Sequence, residues 1–391
     1  MAAPPRLRIA FVADAWSGAV RNGGVASARR FVEALRRRMD VTVVTTGEPS
    51  EARPDHVVLR SFYVPPFQRL MREMGFPFAW PSRETLCEVF RRSDVVHVQF
   101  PFYLGIRAIT VAREVGVPVV STFHVQAEHL LHNVNVHDRT LMHWVYRFFL
   151  RTTYNRSDAV VCPSGFAEQE LRRHGLTAPA TVISNGVPPE YRPLPREECE
   201  RFEGRFTILS VGRLAREKRH DLLIEAVRAS RHEKRIQLVI LGDGPQRDRL
   251  EAQGRSLTHP PVLRLLKPAE LLPYYGGADL CVHAAEVEVE CMAVLEAMAC
   301  GLPCLIARSP LSATSQFALS DGFLFEAGSR YDLTRKIDAW IENPDGLAKA
   351  REGSRDVARR YRVEASADKL VDVYRRVVET ARARRAAGRV A

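Results

Sequence analysis

The sequence predicts an α/β protein made of two doubly wound parallel-sheet halves. Three observations carry this: short β-branched runs alternate with helical patterns, the alternation occurs twice, and a stretch rich in proline and charge separates the two rounds. In the first round the runs are LRIAFVAD, VTVVTT, VVHVQF, VPVVSTFH, AVVCPS and ATVISN. They are apolar on successive residues, as strands covered on both faces of a parallel sheet are. Helical patterns such as VASARRFVEALRRR and GIRAITVAREVG lie between them. The segment GVPPEYRPLPREECERFEGR reads as a linker. After it FTILSVG, IQLVILG, VLRLL, DLCVHA and PCLIA supply a second sheet. The expected domains are residues 1–188 and 189–369, with a basic helical tail at about 370–391 packing back on the first. Ligands of such folds bind beyond the carboxyl ends of the strands, so strand ends matter most.

Composition narrows the function. The chain has 391 residues, 46% of them hydrophobic, enough for two sizeable cores. No run approaches the roughly 18 consecutive apolar residues of a spanning helix, and the N-terminal MAAPPRLRIAFVADAW lacks the pattern of a signal peptide. Neither is expected. Seven cysteines at spacings that match no zinc or redox motif are expected to be reduced thiols in a cytoplasmic protein. The net charge of +11 is uneven: residues 1–188 hold 23 arginines and no lysine against 16 acids, a net of +7. Such a basic half suits an anionic partner, whether nucleic acid, a phosphorylated ligand or a lipid surface.

Several strand ends carry candidate chemistry. Gly23 and Gly24 precede a helix after the first strand, where glycine lets a ligand approach the backbone and free helix amides favour phosphate. A plain structural turn explains them as well. His124, in STFHVQAEH, sits where it can hydrogen-bond a substrate hydroxyl, or be satisfied by nearby backbone. In VGRLAREKRHD, Arg213 and Lys218 can converge on a diphosphate, the guanidinium as a fork and the ammonium as a point charge. In EVEVECMAVLEAMACGLP, Gly301 and Pro303 stop a short helix that begins near Met292. Glu288 then lies in the loop before the helix and Glu296 inside it. Carboxylates accept from the hydroxyl pairs of sugars and riboses, while a helix N-terminus takes phosphate. A nucleotide sugar fits that row.

With these motifs in view, the chain resembles the retaining glycosyltransferases of family 4, which have the GT-B fold of two Rossmann-like domains. The residues that carry the resemblance are the GG of the first loop, GRLAREK, and E-x7-E running into LEAMACGLP. STFHVQAEH, CPSGF and VISNGV fit as well, so it covers essentially the whole chain. It implies transfer of a hexosyl group from a nucleotide-diphosphate sugar, UDP-linked by expectation, with retention of configuration, no covalent intermediate, and no cofactor or metal ion. It implies donor binding in the second domain and the acceptor mostly on the first. Arg213 and Lys218 would neutralise the leaving diphosphate, with Gly23 and Gly24 offering it backbone amides. Glu288 would hold the transferred sugar, Glu296 the ribose, and His124 a sugar hydroxyl. Cys291, Met292, Val294 and Lys267 join the donor-binding set by the same resemblance. The chain departs from the usual motif where Val289, Glu290 and Cys291 replace Gly-Phe-Gly, and where His283-Ala284-Ala285 stands in place of Pro-Ser. Glu290 adds a carboxylate near the sugar.

For the acceptor, the expectation is a membrane lipid or glycolipid reached from the inner face of the cell membrane. Residues 64–80 place Phe67, Leu70, Met71 and Met74 on one helical face flanked by Arg69 and Arg72, which suits either an interfacial helix or a core-facing one. A soluble metabolite acceptor, or a catalytically silent sugar-nucleotide-binding relative, are the alternatives. No motif for single-stranded nucleic acid is present, and nucleic acid is not an expected partner.

Overall fold

The structure, a computed structural model, describes residues 6–16, 23–46, 53–63, 68, 78–128, 130 and 138–387. The chain divides into two compact units. One runs to Gly186 and resumes at Val363; the other is Val187–Arg362.

In the first unit the strands are β1 (Arg8–Ala13), β2 (Asp40–Thr46), β3 (His56–Leu59), β4 (Ser61–Phe62), β5 (Phe78–Ala79), β6 (Val95–Val98), β7 (Val119–Thr122), β8 (Ala159–Cys162) and β9 (Ala180–Val182). Seven of them form one parallel sheet in the order β3-β2-β1-β6-β7-β8-β9, while β4 and β5 pair antiparallel outside it. The alternation of side chains along β1 divides the unit between two cores. Ile9, Phe11 and Ala13 enter the one that includes Phe31 and Val32, and Ala10 and Val12 enter the one that includes Leu86 and Ile109. This is the pattern of a strand covered on both faces.

The second unit repeats the design. Its strands are β10 (Phe206–Val211), β11 (Ile236–Leu241), β12 (Val262–Arg264), β13 (Leu280–His283), β14 (Val287–Glu288), β15 (Cys304–Arg308), β16 (Leu311–Ser312) and β17 (Leu324–Glu326). Six make a parallel sheet in the order β12-β11-β10-β13-β15-β17, and β14 and β16 form a separate parallel pair. In each sheet the order reverses beside the first strand, between β1 and β6 and between β10 and β13. Those reversals are where doubly wound sheets receive ligands.

Every strand run named from the sequence is a strand, with β3, β4, β5, β14, β16 and β17 added. The segment read as a linker is a boundary only at its first residue. Tyr191 is buried and stands edge-on to Tyr275, so the proline-rich stretch is packed into the second unit. The C-terminal helix begins at Val363 and lays Leu370, Val371, Tyr374 and Val377 into the same core as Phe31 and Val32. Among the described residues no helix is long and apolar enough to cross a membrane. Phe67, Leu70, Met71 and Met74 lie outside the described residues.

Gly186 closes the first unit in a left-handed conformation, φ +76°, and a Cβ there would stand 2.5 Å from the Val363 Cα. Gly186→Ala is therefore expected to cost roughly 1–2 kcal/mol from backbone conformation and more from the clash, seen as a melting temperature several degrees lower. Gly23→Ala, which meets nothing within 4 Å and needs no positive φ, is expected to melt like the parent.

Candidate active site

At the carboxyl edge of the second sheet the chain leaves β10 through Gly212 and Arg213, makes a single tight turn over Arg216–Lys218, and enters the helix His220–Ala229. Arg219, φ 51°, is the left-handed residue that joins turn to helix, and among the described residues it is the one non-glycine with positive φ. The GDGP segment after β11 braces this loop. Gly212 N–H donates to Leu241 O at 3.0 Å, Leu214 N–H to Asp243 O at 2.9 Å, and Gln246 N–H to Leu214 O at 2.9 Å. A side chain at Gly242 would strike the Gly212 carbonyl, and one at Gly244 would stand 2.6 Å from the Leu214 carbonyl. The glycine spacing at 242 and 244 is a signal that sequence reasoning passed over.

This bracing aims Lys218 at Glu288. The two form a short, largely buried ion pair, with the lysine stem running over Gly212. Burial works against the ammonium, but the Glu288 carboxylate, together with Cys291 and Glu217, holds the Lys218 pKa above its usual value. The carboxylate is placed by β14, not by a loop: Glu288 pairs with Ser312, and its carbonyl accepts from Ala313 N–H at 2.8 Å. Alongside, Arg219 forms a short ion pair with Glu286.

The helix Met292–Ala299 starts where the sequence predicts, with Cys291 as its N-cap. Gly301, φ +80°, ends it in the left-handed conformation expected of a glycine stop. Glu296 lies buried in its second turn and accepts from Tyr275 O–H at 3.3 Å. His283, the last residue of β13, faces Cys291 and Glu288: its Nδ1 is 3.6 Å from the Cys291 Sγ and its Nε2 is 3.3 Å from a Glu288 oxygen. Burial pushes the Cys291 thiol well above its ordinary pKa. Val294 is buried and Met292 half-buried on the same short helix. The structure thus brings Lys218, Glu288, His283 and Cys291 into one cluster. Arg213 follows β10 directly, half-buried, at the same loop. Lys267 stands exposed after β12, its N–H donating to Glu270 at 2.6 Å.

In the first unit, Gly23 and Gly24 open the helix Gly23–Arg36. His124 follows β7 at the end of a buried polar chain. Tyr374 O–H meets His97 Nδ1 at 2.7 Å, His97 Nε2 meets Gln99 Oε1 at 3.2 Å, and the Gln99 amide nitrogen meets His124 Nε2. An amide nitrogen only donates, so His124 Nε2 accepts and its remaining proton sits on Nδ1. Burial lowers both histidines to about 3, and His124 is therefore a neutral hydrogen-bonding group rather than a cation. Asp14, buried just beyond β1, is a further polar residue at this edge that sequence reasoning missed. Burial pushes its carboxyl up to about 7 despite the Leu104 and Asp14 backbone N–H groups beside it.

Two Rossmann-like units, the second with a buried lysine–carboxylate pair at its switch point, have the architecture of GT-B glycosyltransferases. A solved structure, that of Anabaena Alr3699/HepE in complex with UDP, has the same fold, with a TM-score of 0.73 at 16% identity over 94% of this chain and 99% of that one. The family model described as Glycosyltransferase Family 4 matches residues 21–191, and the one described as Glycosyl transferases group 1 matches residues 193–357. Among curated relatives, the GDP-mannose-dependent alpha-mannosyltransferase of Mycolicibacterium smegmatis is 30% identical over 76% of this chain and 78% of its own. The Alpha-monoglucosyldiacylglycerol synthase of Streptococcus pneumoniae is 25% identical over 78% of this chain and 72% of its own. The chain belongs to glycosyltransferase family 4.

The neutral histidines give a pH dependence of known sign. His97 and His124 bind fewer protons folded than unfolded, where they titrate near 6.5. The stability they contribute is present above pH ~6.5 and is lost as pH falls toward 3. Asp14 acts in the opposite sense, being protonated when folded up to about 7. Burial lowers His220 to about 3 as well, so three groups outweigh one: the melting temperature is expected to fall between pH 6.5 and 5, and His124→Gln to lessen that fall. A melting temperature constant or rising on acidification over this interval would contradict the neutral assignment.

Proposed function

We propose that the protein transfers a hexosyl group from a nucleoside-diphosphate sugar to an acceptor hydroxyl with retention of anomeric configuration. The second unit binds the donor and the first recognises the acceptor. The observation that carries this reading is the buried Lys218–Glu288 pair at the switch point of the second sheet, with Glu296 in the helix immediately after it. In the free protein each charge neutralises the other. With donor bound, Lys218 and Arg213 turn to the diphosphate, whose negative charge grows as the glycosidic bond breaks. Glu288 then accepts from hydroxyls of the transferred sugar, and Glu296 from the ribose. Backbone amides at Gly23, Gly24 and the start of the helix at Met292 serve the phosphates, with Cys291, Val294 and Lys267 in the same donor-binding set. His124, neutral, donates from Nδ1 to a sugar hydroxyl. The two cationic side chains do the work of a divalent ion, so turnover persists in chelator.

UDP- and GDP-linked hexoses are the donors to screen, the first because it is the expectation and the second because a 30% identical relative is named for GDP-mannose. Turnover and slow hydrolysis of one of them, with the product anomer read by NMR, test the reaction. Lys218→Ala is expected to lower turnover on the order of 10²–10³-fold, the usual cost of one preorganised charge donor. Because it also leaves a buried carboxylate uncompensated, Lys218→Gln is compared beside it and both melting temperatures are recorded. Equal turnover in a folded variant would remove Lys218 from the mechanism.

A lipid or glycolipid acceptor is favoured by the helix Arg139–Thr152 of the first unit. It exposes Leu141 (39%), Trp144 (61%) and Phe148 (40%) on successive turns, with Trp144 stacked on Phe148 at 5.7 Å. Arg139, Arg147 and Arg151 are exposed beside them. An apolar stripe with basic flanks suits an anionic membrane surface, each arginine contributing about 1 kcal/mol there. The Streptococcus pneumoniae relative is itself named for a glycolipid. The expected site of action is the inner face of the cell membrane, held peripherally. The protein is expected to co-sediment with vesicles containing phosphatidylglycerol, less at high salt, and Trp144→Glu with Phe148→Glu to abolish this without weakening donor binding. If the parent ignores such vesicles at low salt, the acceptor is a soluble one.

A further inference from the structure

We propose that His283, Glu288 and Cys291 form a binding site for a thiophilic divalent ion of the Zn2+ class, and that filling it shuts the donor site by taking Glu288 from Lys218. The inhibitory half rests on the donor-site reading of that pair; the binding half does not.

The three ligand atoms lie within 4.8 Å of one another, and all three residues are buried. The 3.6 Å between His283 Nδ1 and Cys291 Sγ matches the edge of a tetrahedron whose bonds are about 2.1 and 2.3 Å, the lengths of zinc–nitrogen and zinc–thiolate bonds. On the other side of the ring, Nε2 stands 3.3 Å from a Glu288 oxygen but makes no hydrogen bond. Each ligand comes from a different part of the local frame: the end of β13, the strand β14 and the N-cap of the helix Met292–Ala299.

An imidazole, a thiolate and a carboxylate together suit zinc and exclude the harder magnesium and calcium ions. Binding balances simply. The Cys291 thiol loses its proton to solvent as the sulfur–metal bond forms, His283 binds through one neutral ring nitrogen, and Glu288 binds as the carboxylate. Thiolate and carboxylate meet the two charges of the ion, and a water completes the tetrahedron. Lys218 then faces a bound cation in place of its partner, and neither Glu288 nor Lys218 is placed to receive a nucleotide sugar. The expected consequence is inhibition by micromolar zinc that donor relieves, in an enzyme whose turnover needs no metal.

The full chain, stripped with chelator, is titrated with Co2+ and then Zn2+. One equivalent of Co2+ is expected to raise a thiolate-to-cobalt absorption band in the near ultraviolet, which Zn2+ bleaches. Cys291→Ser and His283→Gln should each abolish the band, and Cys199→Ser should keep it. Melting curves confirm that each variant is folded, and if one is not, the other still decides. In turnover, Zn2+ should raise the apparent KM for donor at least tenfold with little change in kcat. No band in the parent, or an undiminished band in both folded variants, overturns the site and leaves a buried thiol–imidazole contact. Inhibition that donor does not relieve overturns the competition. A normal band in a protein that turns over no nucleotide sugar would instead count against the donor reading and leave the metal site standing.

Discussion

Strands paired on both edges and covered on both faces leave little room for polar side chains, and the few they hold, such as His97 and Ser210, are buried; this constraint organises both units. Along β1 successive residues enter opposite cores, and in β10 Ile208 and Leu209 do the same. Parallel strands all finish on the same edge. Asp14, Gln99 and His124 follow strands in the first unit, and Arg213 and His283 finish or follow strands in the second. The active groups gather because burial leaves them one place to go.

Within the second unit the same constraint makes the Lys218–Glu288 pair effective. A lysine this deeply placed would tend to lose its proton, and its neighbouring carboxylate reverses that tendency. The partners are held from different directions, the lysine by a turn that Gly242 and Gly244 allow to lie against the next loop, the carboxylate by the β14–β16 pair. Such a pair contributes little net stability, because desolvation offsets much of the attraction. In the function proposed above, its value is in keeping both charges formed and oriented until a ligand carrying phosphate and hydroxyls replaces each partner.

The first unit solves a different problem with neutral groups. Tyr374, His97, Gln99 and His124 form a chain in which each member fixes the tautomer or orientation of the next. Phe11 stacks on the buried His97 at 4.6 Å. Tyr374 comes from the C-terminal helix, so the final segment of the chain helps to orient a residue at the edge of β7.

The two-sheet α/β fold, the strand runs and the helix from Met292 to its stop at Gly301 were legible in the sequence, because periodicity, β-branching and a left-handed glycine act locally. The spacing of Glu288 and Glu296 was legible for the same reason. What depended on distant residues was not. Apolar pattern could not separate Leu141, Trp144 and Phe148 from a core stripe, since only the packing decides which face of the helix Arg139–Thr152 is left exposed. Nor could composition reveal that the proline-rich segment after Gly186 buries Tyr191, or that Glu288 sits on a two-residue strand paired with Leu311 and Ser312. The meeting of His283 with Cys291, and of Tyr374 with His97, is set by how strands stack and helices return. The sequence alone marked the candidate residues and the strand ends near which several of them stand. The tertiary structure decided which of them touch, and therefore that His124 is neutral and Lys218 charged, because both states follow from burial and from partners that lie far apart along the chain.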